Sequence, residues 1–407
     1  MISEISSADL EARAMPFICC AAERTYGTGA IDAGLSQDAP GATTTDPETL
    51  GIHWVGEVYG TARYHWRFPA SGFVDRSTFT QELEQFYGSI STQNCPASVL
   101  VRLDGVVLAA SVLYAGASRE PAIVYETYRP NDRVAVGLLS RAEIRTADRV
   151  RFSDTAWSNI FIGSAGSSNY GHWLVDDLPR LMAVTDLMRI AKRPVRVLIH
   201  SYGEAINRVR IQSIREFLGA AVHIDLLDPA IPYFFYELYY ATPVTYHPVQ
   251  KSPVAIDFAA REILSRVMAD TSPSGGPSLV FVDRPAQHGR TLSNHEEIRQ
   301  LVERSGFMVV NPASMSFREQ VQLFAGAQVV IGQMGAAMTN TLFCRPSTTL
   351  IYLAPSGWIE PFYWDLSVVR GQYYRVLYGD VTDTTVPPHL SNFTIDSEAL
   401  QRAIHAL

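Results

Sequence analysis

The stretch Val329-Val-Ile-Gly332-Gln-Met-Gly335-Ala336-Ala-Met-Thr339-Asn340 passes from β-branched residues through two glycines into small side chains. It reads as a strand, a glycine turn and the start of a helix. Small residues let a ligand approach the main chain, and the first N–H groups of a helix attract an anion such as a phosphate. No Lys follows the glycines, so this is not a P-loop, and it falls short of a full G-x-G-x-x-G. Small residues also serve close packing of a helix on a sheet. Residues 320–344 carry no charge, but Gln328, Gln333, Asn340 and the glycines argue for a buried strand–turn–helix rather than a membrane span.

Working outward, apolar runs at 279–282, 307–310, 350–353 and 374–377 alternate with helical patterns near 294–304, 316–325, 335–343 and 360–369. This rhythm specifies a parallel sheet. Upstream, Ser272-Pro-Ser-Gly-Gly-Pro277 reads as a linker. Before it a second alternation appears. Strands are expected at 157–162, 195–199 and 222–227, with helices at 171–190 (kinked at Pro179), 205–218 and 258–268. Two α/β halves, 151–271 and 278–407, are therefore expected to face a cleft. Parallel sheets bind ligands at the carboxyl ends of their strands, so a donor on one side and an acceptor on the other suit such a cleft. Residues 1–150 form an N-terminal region, irregular to about residue 50 and β-rich later. Residues 98–113 have the form of a hairpin turning at Asp104-Gly105.

The chain has 407 residues, 47% hydrophobic and 18% charged, which excludes general disorder. With a net charge of −8 and no Lys/Arg block, nucleic acid is not an expected partner. The cysteines, Cys19, Cys20, Cys95 and Cys344, show no metal-binding spacing and fit a reducing compartment. The first residues have neither a basic segment nor an apolar run of the signal-peptide kind.

Two further clusters carry chemistry. In Asn169-Tyr-Gly-His172-Trp-Leu-Val-Asp176-Asp177-Leu-Pro179-Arg180, helical spacing puts Asn169, His172 and Asp176 on one face. Unpaired polar groups on a buried face cost roughly 2–7 kcal/mol, so such a set calls for pairing or function. The plainer alternative is a helix start, with Asn169 as N-cap and the aspartates at a solvated edge. In Val282-Asp-Arg284-Pro285-Ala-Gln-His288-Gly-Arg290-Thr-Leu292-Ser-Asn294-His-Glu-Glu297, two arginines follow a strand and can clamp a diphosphate. Asn294 and Glu297 equally suit a capping-box variant, and the arginines equally suit surface ion pairs.

Taken together, the three clusters resemble glycosyltransferase family 61, which includes bacterial capsular-polysaccharide enzymes, plant xylan-decorating transferases and animal N-acetylglucosaminyl transferases. The family's N-x-x-H-x-x-x-[DE] pattern is met by Asn169, His172 and Asp176. Its R-…-R-x-L-x-N-x-x-E pattern is met by Arg284, Arg290, Leu292, Asn294 and Glu297. Its G-x-H-G-A-x-x-T-N pattern is met by Gly332, Gly335, Ala336, Thr339 and Asn340. One departure stands out: Met334 occupies the position of the family's usual His, and methionine neither titrates nor donates a strong hydrogen bond.

The resemblance implies a GT-B-like pair of Rossmann-type domains, here with a β-rich N-terminal extension. It implies an inverting hexosyl- or pentosyltransferase that moves a sugar from a nucleotide sugar to a hydroxyl of a glycan or lipid-linked oligosaccharide. Bacterial surface or capsular polysaccharide synthesis is the expected setting. Asp176 or His172 would take the acceptor's proton. Arg284, Arg290, Asn294, Gly335, Ala336, Thr339 and Asn340 would hold the donor, with Asn169 and Asp177 on the acceptor side. No metal and no cofactor are expected, and the location would be cytoplasmic, at most peripheral to the membrane. Because of Met334, a catalytically silent nucleotide-sugar-binding or scaffold protein of a polysaccharide assembly complex is the alternative. An unrelated two-domain α/β enzyme, such as a non-hydride sugar-nucleotide epimerase, is a third.

Overall fold

The computed structural model describes residues 15, 17–20, 47–65, 77–89, 91–118, 120–128, 138–246, 249–269, 277–284 and 290–407. Most of the linker at 272–277 and His288 lie outside these. Contacts divide the chain into two compact units, Met1–Ala62 with Cys95–Thr245, and Arg63–Asn94 with Tyr246–Leu407. The boundary expected at residue 150 thus falls inside the first unit, and the described N-terminal strands share its sheet.

In the first unit the strands are β1 (Phe17–Ile18), β2 (Ile52–Tyr59), β3 (Ser98–Ala109), β4 (Val112–Ala115), β5 (Ala122–Val124), β6 (Ser158–Phe161), β7 (Val195–His200), β8 (His223–Leu227) and β9 (Tyr233–Ala241). They form one sheet in the order β1-β5-β4-β3-β9-β6-β7-β8, with β2 also pairing β3. β6, β7 and β8 are parallel, and β9 runs parallel to β6. On its other edge β9 pairs antiparallel with β3. This strand, unread in the sequence, joins the β-rich and α/β portions.

The turn expected at Asp104-Gly105 is not a turn. β3 continues through it, and the chain reverses after Ala109 instead. Core-facing residues are Val99, Val101 and Leu103 before this point, then Val106 and Leu108. The alternation slips by one residue. The facing strand slips at the same place, from Tyr233 and Phe235 to Leu238 and Tyr240, while Phe235↔Val106 and Glu237↔Asp104 stay in register. Gly105, at φ +62, absorbs the bend. Keeping β3 extended also retains its ladder with β9, which a hairpin would have broken.

The second unit carries β10 (Leu279–Val282), β11 (Met308–Val310), β12 (Val329–Gln333), β13 (Thr349–Pro355), β14 (Tyr373–Val381) and β15 (Phe393–Thr394). The order is β11-β10-β12-β13-β14-β15, parallel except for β15. From β10 the chain crosses outward to β11, then returns to β12 on the other flank of β10. The carboxyl ends of β10 and β12 therefore flank a topological switch point, where open α/β sheets bind ligands. Phe281, Ile331, Ile351, Leu353 and Leu377 pack one face under the helices His295–Arg304 and Ser397–His405. The 335–343 segment is helical as expected, but as a tighter 3₁₀ turn over Ala336–Phe343. The helix Ser77–Ser89 joins this unit through Tyr87, whose ring packs edge-on to Trp364 at 4.0 Å. Tyr64 and Lys251 bind the buried Asp365 carboxylate at 2.6 and 2.9 Å.

Candidate active site

At the switch point of the second unit, Arg284 leaves β10 while Gly335 leaves β12. The two guanidinium groups converge on that glycine. A Cβ placed on Gly335 would overlap Nη1 of Arg284 and lie 3.7 Å from Nη2 of Arg290. Arg290 donates from Nη1 to the His389 carbonyl at 3.0 Å and from Nη2 to the Met334 carbonyl at 2.6 Å. Its guanidinium carbon sits 4.1 Å from the Trp358 ring centre. Burial lowers the Arg284 pKa. Burial, and then the like charge of Arg284, bring Arg290 down to about 10, still cationic near neutral pH. Two cations held together in a half-buried site at a helix start present a field that an anion would relieve.

The other residues expected at the donor have different surroundings. Ala336 opens the 3₁₀ helix beside the arginines. Thr339 and Asn340 are fully buried, and Asn340 Nδ2 donates to Gln320 Oε1 and the Ala337 carbonyl at 2.8 and 3.1 Å. Asn294 does not cap its helix with its side chain. It bonds Glu297 at 2.9 Å and grips the Ile395 main chain through both its NH₂ and its oxygen. Both amides thus anchor the fold. Gly332 serves packing, since a Cβ there would stand 2.9 Å from Val282 Cβ. The Met334 side chain is 1% exposed, and its main chain is what serves the site.

In the first unit, Asn169 is exposed and caps its helix start, accepting from the Gly171 N–H at 2.8 Å. The helical run then widens into a π turn over Trp173–Asp177, with the Leu178 N–H bonded to the Trp173 carbonyl. It tightens at Leu178–Arg180 before the regular helix Leu181–Ile190. Pro179 has no N–H to give the helix ladder, and π turns of this kind recur at functional sites. His172 Nδ1 lies 2.9 Å from Asp176 Oδ2, and the Thr245 hydroxyl donates to Oδ1. Asp176 is 3% exposed and His172 22%, so the imidazole is the member that a substrate can reach. Gly166 leaves room for that ring, as a Cβ there would come within 2.7 Å of His172 Cγ.

Asp177, expected on the acceptor side, is fully buried. It accepts from Ser167 at 2.6 Å and pairs with Arg180 at 3.3 Å. Arg180 in turn donates to the carbonyls of Gly163 and Ala241. Burial raises the Asp177 pKa against the pull of Arg180, and the neighbouring Asp176 adds to the rise. Asp177 therefore belongs to an internal ion pair with Arg180. A small cavity beside Asp176 is lined by Arg180, Tyr240 and Glu126. Thr245 and Glu126 left no mark in the sequence reading, because each stands just beyond a strand of the large sheet, Thr245 after β9 and Glu126 after β5.

Comparison with known families gives the class: a glycosyltransferase. Residues 170–351 match the family described as Glycosyltransferase 61. His172, Asp176 and both arginines fall inside the match. No curated protein matches the chain. Among solved structures, the E. coli heptosyltransferase WaaC with ADP is similar over 61% of this chain and 99% of its own, at 12% identity and a TM-score of 0.29. Among the described residues no helix is long and apolar enough to cross a membrane. None of them form a cluster of three or more His, Cys, Asp or Glu fit for a metal.

Proposed function

We propose that this glycosyltransferase moves a sugar, with inversion, from a nucleoside-diphosphate sugar to a hydroxyl of a glycan or lipid-linked oligosaccharide. The observation that carries this reading is the convergence of Arg284 and Arg290 on Gly335 at the switch point of the second unit. As the glycosidic bond breaks, negative charge builds on the departing diphosphate. Guanidinium groups already in place stabilise that charge without a metal ion. The division of labour is GT-B-like, with the donor on the second unit and the acceptor on the first.

On the acceptor side, His172 is the base and Asp176 its orienting partner. An Nδ1–H bonded to the carboxylate leaves the Nε2 lone pair to take the proton of the attacking hydroxyl. That oxygen then bonds to the anomeric carbon as the nucleoside diphosphate leaves. Bacterial surface or capsular polysaccharide is the setting that the family suggests, at the cytoplasmic side.

The test is turnover of a panel of UDP-, GDP-, ADP- and CDP-sugars, with and without acceptor glycans, by the wild-type chain and its Arg284→Ala and Arg290→Ala variants. Turnover of one donor that falls in both variants supports the reading. Nucleotide binding without hydrolysis or transfer favours the silent-protein alternative that Met334 motivates. Turnover indifferent to both arginines rejects the donor placement.

A further inference from the structure

We infer that Trp358 is a positioning residue for Arg290, holding the plane of its guanidinium at the phosphate-binding edge of the second unit. The inference rests on the reading of Arg284 and Arg290 as diphosphate ligands. A ring face covered by Arg290 at 4.1 Å is not a platform for a sugar or a base.

The geometry requires such a device. Arg290 has φ +43, in the left-handed region that bulky residues rarely occupy. Its neighbour Arg284 carries the same charge. Neither local preference nor electrostatics would keep the guanidinium there, so its surroundings must. They do so with two main-chain carbonyls, of Met334 and His389, and with the Trp358 ring, over which the guanidinium carbon sits. Planar donors held by two carbonyls over an indole form a fixed fork, a job lysine cannot do.

The segments that carry Trp358 and His389 approach each other closely, and each is braced by its own main-chain bonds. Gly357 takes φ +84, and a Cβ there would meet Pro388 Cγ at 3.2 Å. The Ser356 N–H bonds the Gly379 carbonyl at 2.8 Å, and the Leu390 N–H bonds the Pro387 carbonyl at 2.8 Å. The arginine is thus clamped by two loops of fixed geometry, beyond the ends of β13 and β14.

The experiment is calorimetry on the full chain with UDP, GDP, ADP and CDP, each measured separately. The variants are Trp358→Leu, Trp358→Phe, Arg290→Ala and the double Trp358→Leu/Arg290→Ala. For the diphosphate that wild type binds best, Trp358→Leu should lose about threefold to thirtyfold in affinity, and Trp358→Phe should recover most of it. In the Arg290→Ala background Trp358→Leu should cost nothing further, an outcome that a general packing defect would not give. If Trp358→Leu melts early, Trp358→Met replaces it. Wild-type affinity in Trp358→Leu, or a loss independent of Arg290, overturns the inference while leaving the donor site standing. If no diphosphate binds, or if Arg290→Ala binds normally, the donor reading fails and the inference fails with it.

Discussion

The guanidinium of Arg284 lies where a Cβ on Gly335 would stand. The obstructing atom is the far end of a flexible side chain, so Gly335→Ala should fold and push the arginine aside. Nucleoside-diphosphate affinity should fall by about tenfold to a hundredfold, the ~1.5–3 kcal/mol of a charge-assisted hydrogen bond. The melting temperature should hardly move. Gly332→Ala is the contrast, because its Cβ would meet the main chain and Cβ of Val282. That variant should lose stability first. Calorimetry and melting curves on both variants check this; normal affinity in Gly335→Ala would detach Arg284 from the donor.

His172 and Asp176 should fail together. Replacing the base should lower turnover by roughly 10²–10⁴ and leave nucleotide binding intact, because the proposed donor site is on the other unit. Asp176→Asn should approach the loss of His172→Ala, since its carboxylate fixes the imidazole tautomer. The double variant should be little worse than either single one. Turnover per folded molecule, measured beside the melting temperature, separates this from a helix start that merely stabilises. Near-normal transfer in both single variants would place the base elsewhere.

Asp177 should matter for stability and not for chemistry. Removing one partner of a buried ion pair costs about 3–5 kcal/mol, so Arg180→Met should lower the melting temperature strongly. The pH dependence has a definite sign. Burial raises the folded-state pKa of Asp177 above its usual 3.8, so the folded protein binds this proton more tightly than the unfolded chain does. Its contribution is largest below that usual value and is lost as pH rises through the folded-state pKa. The stability difference between wild type and Asp177→Asn should therefore shrink with rising pH across this window. Denaturant unfolding at several pH values checks it; a difference that grows with pH would contradict the assignment.

Much of the second unit was legible because its strands are buried on both faces. Val280–Val282, Val329–Ile331 and Leu350–Leu353 are continuous apolar runs bounded by glycine, proline and charge, and they stand within a residue or two of where they were read. Arg284 and Gly335 were legible because they sit just past strand ends, where residue type follows chemistry more than packing, and Arg290 because it follows Arg284 in the same connection. Asn294 and Asn340 share those motifs for a different reason, as anchors of the main chain. The first unit was harder. β9 alternates only until its core-facing side switches at Tyr236, so it gave no clean period. With β9 missed, Thr245 and Glu126 could not be brought to Asp176. Asp104-Gly105 carries turn chemistry, but long-range pairing with β9 made it a bend.

Transfer should survive a chelator. At the proposed donor site Arg284 and Arg290 would supply the positive charge that a divalent ion would otherwise bring to the diphosphate. Activity should be unchanged by EDTA and by added Mg²⁺ or Mn²⁺. Loss in EDTA with recovery on adding either ion would mean that the arginines share their task with a metal.

Restoring the family's histidine should not improve this protein. Met334 donates its N–H to the Leu353 carbonyl at 2.9 Å, and its carbonyl holds Arg290. Neither depends on the side chain, which is 1% exposed and packed inside the second unit. An imidazole there would be buried, at a cost of about 1–3 kcal/mol if no hydrogen bond compensates. Met334→His should therefore melt earlier and bind the nucleoside diphosphate no more tightly than wild type, because Arg290 keeps its main-chain partner. Melting and calorimetry on the same preparation decide it. Tighter binding or faster transfer in Met334→His would show that the position faces the donor after all, and that the family's histidine chemistry is missing from this chain.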